Sequence, residues 1–136
     1  MKTFTILKPD TVKAGNAGAI ISRLEKEGFR IRAMKMLLLT EAQAQGFYYV
    51  HKERAFFQSL VKFMTESPVV LMVLEADSAI EKLRKVMGAT DPSKADGGTI
   101  RKQFGTNIER NAIHGSDGPE TAAFEIGYFF SQLEIV

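Results

Sequence analysis

Apolar residues recur along this chain with two periods that take turns from one end to the other. Thr3 to Leu7 is β-rich and runs into Pro9, which disfavours continued regular structure, so a first strand is predicted to stop there. Ala17, Ile20, Ile21 and Leu24 then recur at helical spacing, with Gly28 as the stop. Phe29, Ile31 and Ala33 alternate with Arg30 and Arg32 before the more apolar Met34 to Leu39, which predicts a second strand with one wet face at its start. Thr40 and Glu41 open a short helix over residues 41–49, and Phe56, Phe57, Leu60, Val61 and Met64 follow the spacing of one face of another. Pro68 precedes Val69 to Leu74, apolar on both alternating faces and therefore predicted as a central strand. Ala79, Ile80, Leu83, Val86 and Met87 return to helical spacing and end at Gly88. From Ala89 to Glu109 the periodicity fades into glycines, Pro92 and polar residues, so a long functional loop is expected over about 89–111. A short strand around Ala112 to His114 and a last helix from Pro119 to Phe130, with Ala122, Ile126, Phe129 and Phe130 inward, complete the pattern.

Strands interleaved with helices that each need one apolar face covered predict an α+β sandwich of the ferredoxin-like type, a four-stranded antiparallel sheet covered by helices. A parallel doubly wound sheet is the alternative. No linker, low-complexity tract or internal repeat divides the chain, so one domain over 1–136 is expected.

Composition narrows the function classes. With 136 residues and no cysteine, the chain is long enough for a core of its own, and disulfides and thiolate metal sites are excluded. The N-terminal apolar run is too short for a signal peptide and the strongest apolar run, Val69 to Leu74, is far below the roughly 20 residues of a membrane span. A cytoplasmic protein with no membrane attachment is expected. A net charge of +2 does not require nucleic acid as a partner, although cations gathered in one cleft would attract a phosphorylated small molecule.

The stretch Asn111-Ala112-Ile113-His114-Gly115-Ser116-Asp117 is the strongest candidate for chemistry. An imidazole with a reference pKa near about 6.5 is largely neutral at neutral pH, so a ring nitrogen can act as a nucleophile without a strong base beside it. Gly115 leaves room for a ligand, and Ser116, Asp117 and Pro119 read as the cap and first turn of a helix. There is no Gly-x-x-x-x-Gly-Lys-Ser/Thr loop and no Gly-x-Gly-x-x-Gly turn, so nucleotides would be held by another route. No carboxylate or histidine cluster suits a resident metal; a metal would arrive with the substrate. Lys8, at the end of the first strand, reads as a cleft residue or a turn lysine. Arg84 and Arg101 read as phosphate braces or as solvated surface arginines, and Thr90 as a phosphate ligand or a turn residue. Phe56 reads as core or as a stacking platform for a base, Asn111 as a ligand or a turn former, and Glu125 as an exposed helix acid. His51 is assigned no role.

Taken together, Thr5-Ile6-Leu7-Lys8-Pro9-Asp10, Phe56-Phe57, Gly88-Ala89-Thr90-Asp91-Pro92, Gly98-Thr99-Ile100-Arg101 and Asn111 to Asp117 resemble nucleoside diphosphate kinase over essentially the whole chain. The resemblance implies a ping-pong reaction in which a nucleoside triphosphate, typically ATP, phosphorylates His114 on Nδ1 and the phosphohistidine passes the group to a nucleoside diphosphate. It further implies that Lys8 and Asn111 hold sugar hydroxyls and nearby phosphate oxygens, and that Arg84, Thr90 and Arg101 hold the phosphates. Phe56 would stack on the base, while Tyr48 lies beside the histidine and Ser116 and Glu125 support its orientation. Mg2+ would come with the nucleotide, base and sugar tolerance would be broad, and the chain would form a homo-oligomer, tetramer or hexamer. Thr11, Ala55 and Gly97 depart from the residues common at those places, and the chain lacks a longer C-terminal tail; the three departures are expected to loosen local backbone geometry without removing a chemical group. The competing reading is a nucleotide- or nucleic-acid-binding module on the same scaffold without turnover, suggested by the pI near 8.9. A protein-histidine-kinase role would share the phosphohistidine and differ in the acceptor.

Overall fold

The computed structural model describes all 136 residues, Met1–Val136. Four strands, β1 (Lys2–Leu7), β2 (Arg30–Leu37), β3 (Val69–Glu75) and β4 (Ile113–Gly115), form one sheet in the order β2-β3-β1-β4. Every pairing is antiparallel, which rejects the parallel doubly wound alternative and gives the ferredoxin-like α+β arrangement. The helices are α1 (Pro9–Lys13), α2 (Ala17–Lys26), α3 (Glu41–Phe47), α4 (Phe57–Met64), α5 (Ala79–Met87), α6 (Ile100–Phe104) and α7 (Pro119–Phe129). No helix is long and apolar enough to cross a membrane.

The unbroken apolar run of β3 follows from burial on both faces. Val69, Leu71 and Val73 enter a core with Phe4, Ile6, Phe47 and Met64, while Val70, Met72 and Leu74 enter a second core with Leu24, Leu83 and Ile100. The sheet therefore carries α3, α4 and α7 on one side and α2, α5 and α6 on the other. Strand alternation carries this division into β4: Ile113 and Gly115 face the α5 side, and His114, paired with Ile6, faces the α3–α7 side.

Three expectations need correction. Pro9 does not end regular structure; it occupies the first turn of α1, where a missing N–H costs nothing and the fixed φ suits a helix. The stretch from 89 to 111 is not one loop, because it contains a 3-10 turn over Pro92–Lys94 and the five-residue α6, capped by the Thr99 hydroxyl, which accepts from the Lys102 N–H at 3.3 Å. A helix of barely more than one turn leaves no period to read. β2 is also shorter than the expected 29–39: its pairing with β3 runs from Arg30 to Leu37, across a bulge between Ile31 and Ala33, and ends where β3 begins at Val69.

Candidate active site

A cavity of about 310 Å³ opens where the C-terminal end of β1, the α3–α4 hairpin, the end of α5, the 105–111 segment and β4 meet. Lys8, Arg84, Thr90 and Arg101 lie on its polar side; Tyr48, Phe56, Asn111, His114 and Glu125 also line it. Ser116 stands behind this wall and reaches it through Glu125.

The imidazole of His114 is fixed from three directions. Its Nε2 lies 2.9 Å from Glu125 Oε1, the same oxygen that accepts the Ser116 hydroxyl at 2.6 Å. Phe47 and Phe4 close on the ring edge-on, with centroids 5.6 and 6.3 Å away. A carboxylate that accepts at Nε2 puts the proton there, leaving the lone pair on Nδ1, which has no protein partner. Ser116 therefore does not cap α7 as its sequence context suggests. Gly118 is the capping residue, and its N–H donates to the Thr121 hydroxyl at 3.0 Å. Gly115 lines the cavity, and its smallness has a second consequence: a Cβ there would lie 2.6 Å from Met87 Sδ and 3.0 Å from Leu83 Cδ2, so its absence lets β4 settle on α5.

Lys8 is buried, with Nζ donating to Asn111 Oδ1 at 2.8 Å, and Asn111 Nδ2 donates to the Thr90 carbonyl at 3.0 Å. Arg101 is buried too, which excludes the solvated-surface reading; its guanidinium donates to the Ile113 carbonyl at 2.7 Å and the Gly88 carbonyl at 3.1 Å, while Nε has no partner. Arg84 stays exposed at the last turn of α5. Burial first, and then the Arg101 charge, pull the Lys8 pKa down to about 8; burial and then Arg84 pull Arg101 down to about 10. Three cations thus crowd one another in a site that supplies them few counter-charges, the condition that an anionic ligand relieves. Burial, with Glu125 adding, pushes the Tyr48 phenol well above its ordinary range, so it keeps a proton for which the protein provides no acceptor.

The Lys8 shift has a measurable consequence for stability. Between about pH 8 and 10.5 the unfolded chain holds a proton on this amine that the folded protein has released, so the unfolding free energy rises with pH across that window. Chemical denaturation should show wild type gaining roughly 2–3 kcal/mol on Lys8→Met between about pH 7.5 and about pH 10.5. A difference that stays flat with pH would rule out the buried-lysine origin.

Phe56 sits just before α4 and is 46% exposed, so it is not a core residue, whereas Phe57 packs against the core. Sequence reasoning missed Ile108, 61% exposed and lining the same cavity, and dismissed His51, whose ring lies 5.5 Å from that of Phe56 on the cavity wall. An isolated isoleucine in the polar run Thr106 to Arg110 was the available signal for the first. Arg110 points elsewhere: it pairs with Glu66 at 2.7 Å and covers the Phe63 ring. Among the three departures from common residues, Thr11 does not loosen its surroundings; it is buried and its hydroxyl donates to the Ala112 carbonyl at 2.9 Å.

Comparison with known proteins agrees with this geometry. The family described as nucleoside diphosphate kinase matches residues 1–135. The nucleoside diphosphate kinase of Geobacter sulfurreducens is 58% identical over 135 residues, covering 99% of this chain and 98% of that protein, and that of Syntrophotalea carbinolica is 57% identical with the same coverage. Among solved structures, the Aquifex aeolicus nucleoside diphosphate kinase superposes with a TM-score of 0.97 at 49% identity, over 99% of this chain and 98% of that one. A halophilic nucleoside diphosphate kinase from Halobacterium salinarum in complex with CDP gives 0.96 at 39% identity, over 100% and 91%.

Proposed function

The chain belongs to the nucleoside diphosphate kinase family, phosphotransferases that move phosphate between nucleoside triphosphates and diphosphates, and from that premise we propose that it works by a ping-pong route through phosphohistidine at His114 Nδ1. In the first half-reaction the Nδ1 lone pair forms the N–P bond as the bond from the γ-phosphorus to the β–γ bridging oxygen breaks, and the electron pair leaves with the nucleoside diphosphate. A second nucleoside diphosphate then attacks the same phosphorus with a terminal phosphate oxygen and frees the imidazole. The observation that carries this reading is the His114 Nε2–Glu125–Ser116 chain, at 2.9 and 2.6 Å, on the wall of a cation-lined cavity. The Nε2 proton stays on the ring throughout, and the Glu125 carboxylate faces the positive charge that the ring gains on phosphorylation.

Phosphoryl transfer asks chiefly for alignment and charge neutralisation. Arg84, Thr90 and Arg101 would hold the phosphates, Lys8 and Asn111 the sugar hydroxyls and adjacent phosphate oxygens, and the Tyr48 hydroxyl would donate beside the reacting imidazole. Mg2+ would arrive with the nucleotide and would supply further charge neutralisation at its phosphates. Incubation with γ-labelled ATP should give an acid-labile, base-stable phosphoenzyme that discharges on addition of GDP; a protein that stays unlabelled would point to a binding module without turnover.

Phe56 and Ile108 present apolar surface at the cavity mouth, which accepts any base face. The Halobacterium relative was solved with CDP, a pyrimidine nucleotide, which supports the same tolerance here. Phe56→Ala should raise KM by about tenfold for purine and pyrimidine nucleotides alike. Loss confined to one base would mean that hydrogen bonds read base identity. Assembly belongs to the same proposal: β2 is an edge strand along which Met34 and Met36 stand exposed, continued by Leu38 just past its end, a stripe that a second copy would cover in a homo-oligomer, tetramer or hexamer.

A further inference from the structure

Ala112 lies two residues before His114 with φ +75, a conformation that only one other non-glycine residue in the chain, Ser78, shares. The Ile113 N–H donates to the Asn111 carbonyl at 2.9 Å, closing a three-residue turn around Ala112. With its central residue at positive φ, this is the rare and strained form of γ-turn. Such strain persists only where the surroundings hold it.

The hold comes from one short stretch, Lys8 to Thr11. The Lys8 N–H donates to the Ala112 carbonyl at 2.9 Å, the Thr11 hydroxyl donates to the same oxygen at 2.9 Å, and Asp10 Oδ2 accepts the Ala112 N–H at 3.0 Å. Both backbone groups of the strained residue are therefore occupied by partners about 100 positions away in the chain. On either side of it stand Asn111, which orients Lys8, and His114. The angle of this turn sets the spacing between the two.

We propose that Thr11, acting with Asp10, is a positioning residue for phosphate transfer: its hydroxyl holds the Ala112 turn in the left-handed conformation that aligns His114 with the phosphate-binding groups. This rests on His114 being the nucleophile. Thr11 touches neither the cavity nor the imidazole, so its effect passes through the Ala112 backbone alone. Glycine adopts positive φ without strain, so Ala112→Gly should make the hold largely unnecessary.

The test is rapid-quench phosphorylation by γ-labelled ATP at saturating nucleotide, with KM and denaturation midpoint measured in parallel. Thr11→Val keeps the shape and removes the hydroxyl; it should slow His114 phosphorylation about tenfold, with KM within about twofold of wild type. Thr11→Ser should restore the rate to within about twofold of wild type. In the Ala112→Gly background the valine substitution should cost less than about threefold. If the valine protein does not fold, Thr11→Ala takes its place in every comparison. An unchanged rate in the valine variant, no rescue by serine, or the same loss in both backgrounds overturns the proposal. Wild type that labels at His114 beside variants that label equally fast rejects this inference alone, whereas wild type that forms no phosphohistidine rejects the nucleophile and this inference with it.

Discussion

Replacing His114 with alanine will abolish the phosphoenzyme and lower nucleotide phosphate transfer by at least about 10^4-fold, while the cooperative unfolding transition remains. The asymmetry follows from what the side chain touches. The ring lies edge-on against Phe4 and Phe47, both of which keep their other aromatic neighbours when it is removed. Glu125 retains the Ser116 hydroxyl, so no buried carboxylate is left without a donor. Loss of the imidazole costs on the order of 1 kcal/mol of stability by that reasoning, against the whole nucleophile in the reaction. Equal labelling of wild type and His114→Ala, or recovery of label on another residue, would sink the assignment. Nucleotide binding should survive the substitution, because the cations and Phe56 are untouched; equilibrium binding of a nucleoside diphosphate separates lost chemistry from lost affinity.

How far the sequence could be read depended on whether a feature had a period or a local chemical reason. β3 was legible because burial on both faces leaves an unbroken apolar run, and the start of α3 because Thr40 and Glu41 signal it, a start that the structure completes with a reciprocal cap between Thr40 and Gln43, at 3.1 and 2.9 Å. Pro9 was misread because the same residue that blocks a strand is well suited to the first turn of a helix, and the short run after it, Asp10 to Lys13, with Val12 as its one large apolar residue, has no period to favour the helix. The five residues of α6 are too few for a pattern. The candidate residues singled out by their motifs come together at one cavity, but the burial of Lys8 and Arg101 was not legible, because it arises when β1, α6 and β4 converge from distant parts of the chain. Ile108 and His51 escaped because they contribute surface, and surface acquires meaning only from the segments that fold opposite it. Gly115 and Thr11 do more than their signals suggested: the first lines the cavity and also gives room to a neighbouring helix, and the second adds a bond where looseness was expected.

Arg101→Ala should reduce kcat/KM by about 10^3-fold with a far smaller effect on stability, and Arg101→Lys should recover only part of that loss. The guanidinium hangs from the carbonyls of Gly88 and of Ile113, the residue directly before His114, so its position is tied to the strand that carries the imidazole. A lysine restores one positive charge but not the fork that can hold two carbonyls and still face a phosphate. The ligand-free protein keeps this group charged at neutral pH despite burial and the nearby Arg84, both of which lower its pKa, to about 10. Removing it relieves repulsion on Lys8, whose own pKa Arg101 helps to depress, and this offsets part of the packing lost with the side chain. Stability and activity therefore respond in different measure, as expected where charge is held in readiness for a ligand rather than for the fold. The same reasoning fixes the ligand dependence: saturating nucleoside diphosphate should raise the Tm of wild type more than that of Arg101→Ala, because the variant gains fewer phosphate contacts and has less cation repulsion to relieve. A variant within tenfold of wild-type kcat/KM, or one stabilised by nucleotide as strongly as wild type, would show that the phosphates are held elsewhere in the cavity.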